Sequence, residues 1–160
     1  MSAEAHSSTV VVGVGNAALS DEAVAGRVVR EVARRAPAGV EVIDAGLPGP
    51  GILRFIEGRQ RAIIVDAIDA GLPAGTVRRF RLEDVMPADA APAVSLHQGD
   101  VLQYLRLAET LGIAPAEMVV VGIQAERLSP GYALSPRVEE AVAEAAEAVL
   151  AELGQPAQSC

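Results

Sequence analysis

VVVGVGNAALSDE, residues Val10 to Glu22, is the stretch whose reading decides the fold. Val10, Val11, Val12 and Val14 are β-branched and nearly continuous, the pattern of a strand covered on both faces in an α/β sheet. Gly13 and Gly15 follow, allowing a tight turn and a close approach by other backbone. Ser20 is then expected to cap a helix whose first turn carries Asp21 and Glu22. That turn falls at the carboxyl edge of the sheet, where open α/β folds place ligands.

Outward from there the alternation continues. Val24, Val28, Val29, Val32 and Ala36 recur at helical spacing over Ala23–Ala36, closed by Pro37 and Gly39. Val40–Asp44 is a second strand and Ala45–Gly51 a Gly- and Pro-rich loop, with a short helix expected over Ile52–Glu57. Arg61–Ala67 repeats the buried-strand signature, with Asp66 expected at its carboxyl end. The order strand, helix, strand, helix, strand predicts parallel pairing with crossovers. After the turn Ala70–Gly75, Thr76–Leu82 has no room for a crossover helix, so it is expected to run antiparallel to the strand before it.

Asp84–Ala93 reads as a loop. Ser95-Leu96-His97-Gln98 fits a capping box opening a helix to about Leu111, before Gly112. Met118–Ile123 is the last core strand. Ser129–Leu134 turns the chain, and Ser135 and Pro136 start a final helix. The expected organisation is a disordered polar leader over residues 1–8, one α/β domain over 9–154, and a frayed tail over 155–160.

Composition narrows the function. The chain has 160 residues, 51% of them hydrophobic, but only two Phe, two Tyr and no Trp, so the core is aliphatic and stacking on bases is disfavoured. A net charge of −8 opposes phosphate-backbone binding, and nucleic acid is not expected as a partner. A single cysteine, Cys160, excludes an internal disulfide and a Cys-rich zinc site. No apolar run approaches a membrane span, and the leader, with His6, has no signal-peptide pattern; a cytoplasmic protein without a membrane partner is expected.

Glu22, Asp66 and His97 fall at carboxyl strand ends or at helix starts above them. Two carboxylates and an imidazole suit a divalent transition metal such as nickel or zinc. Each also has a structural reading. Glu22 complements a helix dipole, Asp66 caps a turn with Asp69, and His97 is a solvated residue within the capping box. Asp44 at a strand end reads as a turn residue. No serine stands in a nucleophile elbow and no phosphate-gripping P-loop is present. Gly13-Val14-Gly15-Asn16-Ala17-Ala18 does fit the dinucleotide fingerprint, with Asp44 as the ribose acid, so a dinucleotide-binding enzyme is an alternative. Against it, the helix is expected only after Ser20, with acids where a pyrophosphate would lie.

The opening Gly13-Val14-Gly15-Asn16-Ala17-Ala18-Leu19-Ser20-Asp21-Glu22 resembles that of the nickel–iron hydrogenase maturation endopeptidases. The resemblance runs in order through Asp44-Ala45-Gly46, Ile63-Ile64-Val65-Asp66-Ala67, Pro73-Ala74-Gly75-Thr76, Ser95-Leu96-His97, Val121-Gly122-Ile123 and Leu134-Ser135-Pro136. It implies a three-layer α/β/α domain with a mixed, mostly parallel five-stranded sheet containing one antiparallel strand. It implies removal of a C-terminal extension from the hydrogenase large-subunit precursor after nickel insertion, with Glu22, Asp66 and His97 as metal ligands and the metal presented by the substrate. Asp44 and Gly46 would lie in a substrate-recognition loop. Ala18, Ala25 and Leu47 depart from the family pattern, and Leu47, where threonine is common, bears on which hydrogenase is recognised. A non-cleaving maturation chaperone of the same fold is the other alternative.

Overall fold

The computed structural model describes residues 6–85, 95–96 and 101–155. Strand β1 (Thr9–Val14) pairs in parallel with β2 (Val40–Gly46) on one side and β3 (Arg61–Asp69) on the other. Strand β6 (Glu117–Gln124) lies parallel to β3, and β4 (Val77–Arg81) is antiparallel to β6, giving the order β2-β1-β3-β6-β4. A two-residue strand, β5 (Ser95–Leu96), pairs antiparallel with the end of β3.

Period-two alternation sorts the strand side chains between two cores. Val11, Ile63, Val65, Val119 and Val121 face α1 (Val24–Ala33) and α5 (Pro136–Leu153). Val10, Val12, Ile64 and Val120 face α2 (Ile52–Ile56) and α4 (Val101–Leu111). A four-residue helix, α3 (Leu82–Val85), follows β4. The result is the expected three-layer arrangement, with five strands in the main order and β5 appended. Helix α1 has no side-chain N-cap bond, but buries Val24, Val28, Val29 and Val32. At about 1.5–3 kcal/mol for each fully buried side chain, that face outweighs the roughly 1 kcal/mol of a cap.

Three local expectations are corrected. Strand β4 is antiparallel, but its neighbour is β6, with Val77 opposite Ile123, rather than β3. Strands β3 and β6 are buried along almost their whole lengths and take each other as neighbours, whereas β4 carries Arg78, Arg79 and Arg81 and goes to the edge. Ser95 opens no helix: its backbone pairs with Asp69, and α4 begins at Val101. Ser20 is not an N-cap either, because it lies inside a 3-10 turn, Ser20–Ala23, at φ 49°. His97, Gln98 and most of the loop expected over 84–93 lie outside the described residues.

The amino ends of the strands are closed by charge. Buried Glu152, in the last turn of α5, accepts from Arg61 Nη2 at 2.6 Å and from Arg79 Nη2 at 3.0 Å, and Arg61 also reaches Glu117 at 3.3 Å. Buried charges persist when paired in this way. Ser7 and Ser8, assigned from sequence to the leader, are held as well: the Ser8 carbonyl accepts from Gln60 and Arg61 N–H, and the Ser7 carbonyl from Arg59.

Candidate active site

At the opposite, carboxyl edge, the chain leaves β1 through Gly15. A Cβ at Gly15 would overlap the carbonyl oxygen of Glu22, so only glycine lets the 3-10 turn fold back so tightly over the strand end. The Asn16 side-chain oxygen accepts from Ala18 N–H at 2.9 Å, closing the loop locally, and the Asn16 N–H donates to Glu22 Oε2 at 3.1 Å. Glu22 is thus buried and aimed by backbone, more than a helix-dipole residue requires.

The turn is also tied from outside. Leu19 forms an isolated bridge with Gly131, and Ser20 N–H donates to the Gly131 carbonyl at 2.9 Å. The Ser20 hydroxyl donates to the Ser129 carbonyl at 2.7 Å, which replaces the capping role expected of it. Asp21, also buried, accepts from the backbone N–H of Glu126, Arg127 and Ser135 and from the Ser135 hydroxyl. Burial pushes its carboxyl up, but these donors outweigh burial and hold it below the ordinary aspartate range. Sequence reasoning missed this role of Asp21, since its partners lie more than a hundred residues away.

Asp66 presents the opposite chemistry. It lies within β3, between Val14 of β1 and Gly122 of β6, rather than at the strand end, because pairing continues to Asp69. It is completely buried, and neither carboxylate oxygen has a hydrogen-bond partner. Burial above all drives its carboxyl well above the usual range; the Ala67 N–H, too poorly placed to count as a hydrogen bond, offsets a little, and the nearby Glu22 charge adds to the rise. A turn-capping aspartate would be bonded to backbone, and this one is not. Two buried carboxylates, of which Asp66 has both oxygens unpartnered, fit a divalent cation, which would supply both the missing ligation of Asp66 and the missing charge.

Asp44 and Gly46 are not part of that pair. Asp44 is exposed near the end of β2, lies across Gly26 of α1 and meets Arg30 at 3.7 Å. Gly46 accepts from Gly15 N–H at 2.8 Å and shares a row of the sheet with Val14 and Asp66. Both line an open pocket of about 660 Å³ with Asn16, Arg30, Leu47 and Tyr132. Among the described residues no three His, Cys, Asp or Glu side chains gather as a metal-sized cluster. The third expected ligand, His97, is outside them; its chain neighbour Leu96 pairs with Ile68, two residues along β3 from Asp66.

The glycine loop does not serve a dinucleotide. Helix α1 starts at Val24, nine positions beyond Gly15, and buried Asp21 and Glu22 stand before it. A pyrophosphate would meet carboxylates in place of free N–H groups.

A family model described as hydrogenase maturation protease matches residues 26–152. The chain is 39% identical over 150 residues to the hydrogenase 2 maturation protease of Escherichia coli K12, covering 90% of this chain and 89% of that protein. It is 34% identical over 151 residues to the hydrogenase expression/formation protein HupD of Bradyrhizobium diazoefficiens, covering 91% and 79%. Its fold is similar to the solved hydrogenase maturating endopeptidase HybD from E. coli, with a TM-score of 0.77, 32% identity and 91% of each chain covered.

Proposed function

The chain belongs to the hydrogenase maturation protease family, and we propose that it cuts the C-terminal extension from a nickel–iron hydrogenase large-subunit precursor once nickel has been inserted. The observation that carries the nickel requirement is Asp66, completely buried beside Glu22 with both oxygens unpartnered. Such a group, kept as a carboxylate, destabilises the fold unless a cation completes it.

In this reading Glu22, Asp66 and His97 meet nickel that arrives on the precursor, and zinc or another divalent ion takes the same donors in the isolated protein. Nickel so placed would supply Lewis acidity to the scissile carbonyl or to an attacking water. The chain's own contribution is positional. Gly15 admits the turn, Asn16 N–H orients Glu22, and Asp21 locks the turn to the loop before α5. Asp66 sits on a strand buried along almost its whole length. Asp44 and Gly46 line the approach. Among the described residues no helix is long and apolar enough to cross a membrane, and the proposed setting is the cytoplasm.

Purified protein incubated with precursor, with and without nickel loading, tests this by intact mass. Loss of a short C-terminal peptide from the loaded form alone is expected. Cleavage of the nickel-free form would remove the metal checkpoint, and binding without any mass change would make the protein a chaperone.

A further inference from the structure

We propose that the outer edge of β2 is the docking rail for the precursor's C-terminal segment, which adds to the sheet as an extra strand. The inference rests on the protease reading above and names how that site holds its substrate. Strand β2 ends the parallel set, and among the described residues no strand pairs with its outer side. None of its residues is fully buried, in contrast to β1, β3 and β6. It runs for seven residues without proline, with one register shift at Ala45, so its free N–H and C=O groups form a regular template over Val40–Asp44. The other edge, β4, is blunted by its three arginines.

An added strand needs backbone pairing for affinity and pockets on alternate faces for its side chains. Strand β2 has both. Ile43 and Ala45 face the α2 layer and line a pocket of about 610 Å³ with Pro48, Arg54 and Phe55. Asp44 and Gly46 face the α1 layer and line the second pocket with Leu47 and Tyr132, which are 54% and 85% exposed. The charges on the strand are already answered, Glu41 by Arg59 at 2.6 Å and Asp44 by Arg30 at 3.7 Å, so an incoming backbone meets no lone charge there.

The rail also leads to the candidate centre. Gly46, Val14 and Asp66 occupy one row on adjacent strands. With strands about 4.8 Å apart, a peptide outside β2 lies roughly 15 Å from Asp66, a span that about five extended residues cover. The second pocket continues past Asn16, whose N–H holds Glu22. The occupant is therefore an extended segment separated by about five residues from the bond that is cut.

Amide hydrogen exchange of the full-length protein, alone and with nickel-loaded precursor, provides the test, together with synthetic precursor peptides N-methylated one residue at a time. Exchange over 40–46 is expected to slow at least tenfold on binding. N-methylation is expected to weaken binding tenfold or more at alternate residues only, because those alone face β2. Normal cleavage with exchange over 40–46 unchanged, or equal sensitivity at every methylated position, overturns the rail and leaves the protease reading intact. Neither binding nor cleavage sinks both.

Discussion

Ser135 gives both its backbone N–H and its hydroxyl to the Asp21 carboxylate, at 2.7 and 2.9 Å. The two residues join the turn that carries Glu22 to the start of α5. Glu126 and Arg127 N–H complete the shell at 2.9 and 2.7 Å. Asp21→Ala would strand three buried or half-buried amides, each costing about 1–3 kcal/mol. A loss of roughly 3 kcal/mol or more in urea denaturation is expected, with Asp21→Asn losing less because one oxygen remains. Wild-type stability for Asp21→Ala would mean that the tether does not hold the turn.

Asp66 should behave in the reverse way. Its carboxylate contributes no hydrogen bond to the fold and suffers full desolvation. Asp66→Asn is expected to leave the melting temperature unchanged or raise it, while processing of nickel-loaded precursor falls at least a hundredfold. Functional residues commonly carry such a stability cost. Parallel thermal melts and intact-mass assays check both halves, and an active variant with a lowered melting temperature would refute the assignment.

At Gly15 the constraint is steric, since any side chain meets the Glu22 carbonyl. Gly15→Ala should displace the turn at a cost of about 1–3 kcal/mol. The circular dichroism spectrum is expected to stay native while cleavage drops tenfold or more. Full activity would show that the turn tolerates the shift and that Glu22 is not critically placed.

The acid limb of stability should report Glu152. Its hydrogen bond to Arg79 lowers its carboxyl, burial opposes this, and the Arg79 charge and the Arg61 contacts lower it further, so its folded value lies below the ordinary one. The unfolded chain titrates near about pH 4.3. The stabilisation is therefore complete above that value and is lost as pH falls through the lower folded value. Asp21 acts in the same direction. Urea midpoints followed from about pH 6 down to about pH 3 should fall more steeply in the wild type than in Glu152→Gln. Parallel curves would place the acid sensitivity elsewhere.

Strands and layers were legible because Val and Ile runs admit few other solutions, and Glu22 and Asp66 were legible as acids near the carboxyl edge of the sheet, although Asp66 lies inside β3 and not at its end. What failed was any assignment resting on a short polar pattern alone. Ser20 looks like a cap until Ser129 takes its hydroxyl, and Ser95 looks like a capping box until Asp69 takes its backbone. In both cases a distant partner outcompetes the local one. The position of β4 was hidden for a related reason: sequence order favours β3 as its neighbour, but burial reserves β3 for β6. Asp21 gave no local signal of its four donors.

The tie between Asp21 and Ser135 also bears on timing during synthesis. Its two ends are 114 residues apart in sequence, and contacts of that separation form late. A nascent chain that has not yet emitted residues 126–135 can pair β1 with β2 and β3 but lacks the four donors that hold the Asp21 carboxylate. The turn bearing Glu22 then lacks that tether, and a half-made chain cannot hold the proposed site in place. On the proposed reading, competence to cleave is thereby withheld until the segment between β6 and α5 has docked on the turn, so that a late stretch of the chain arms an early one.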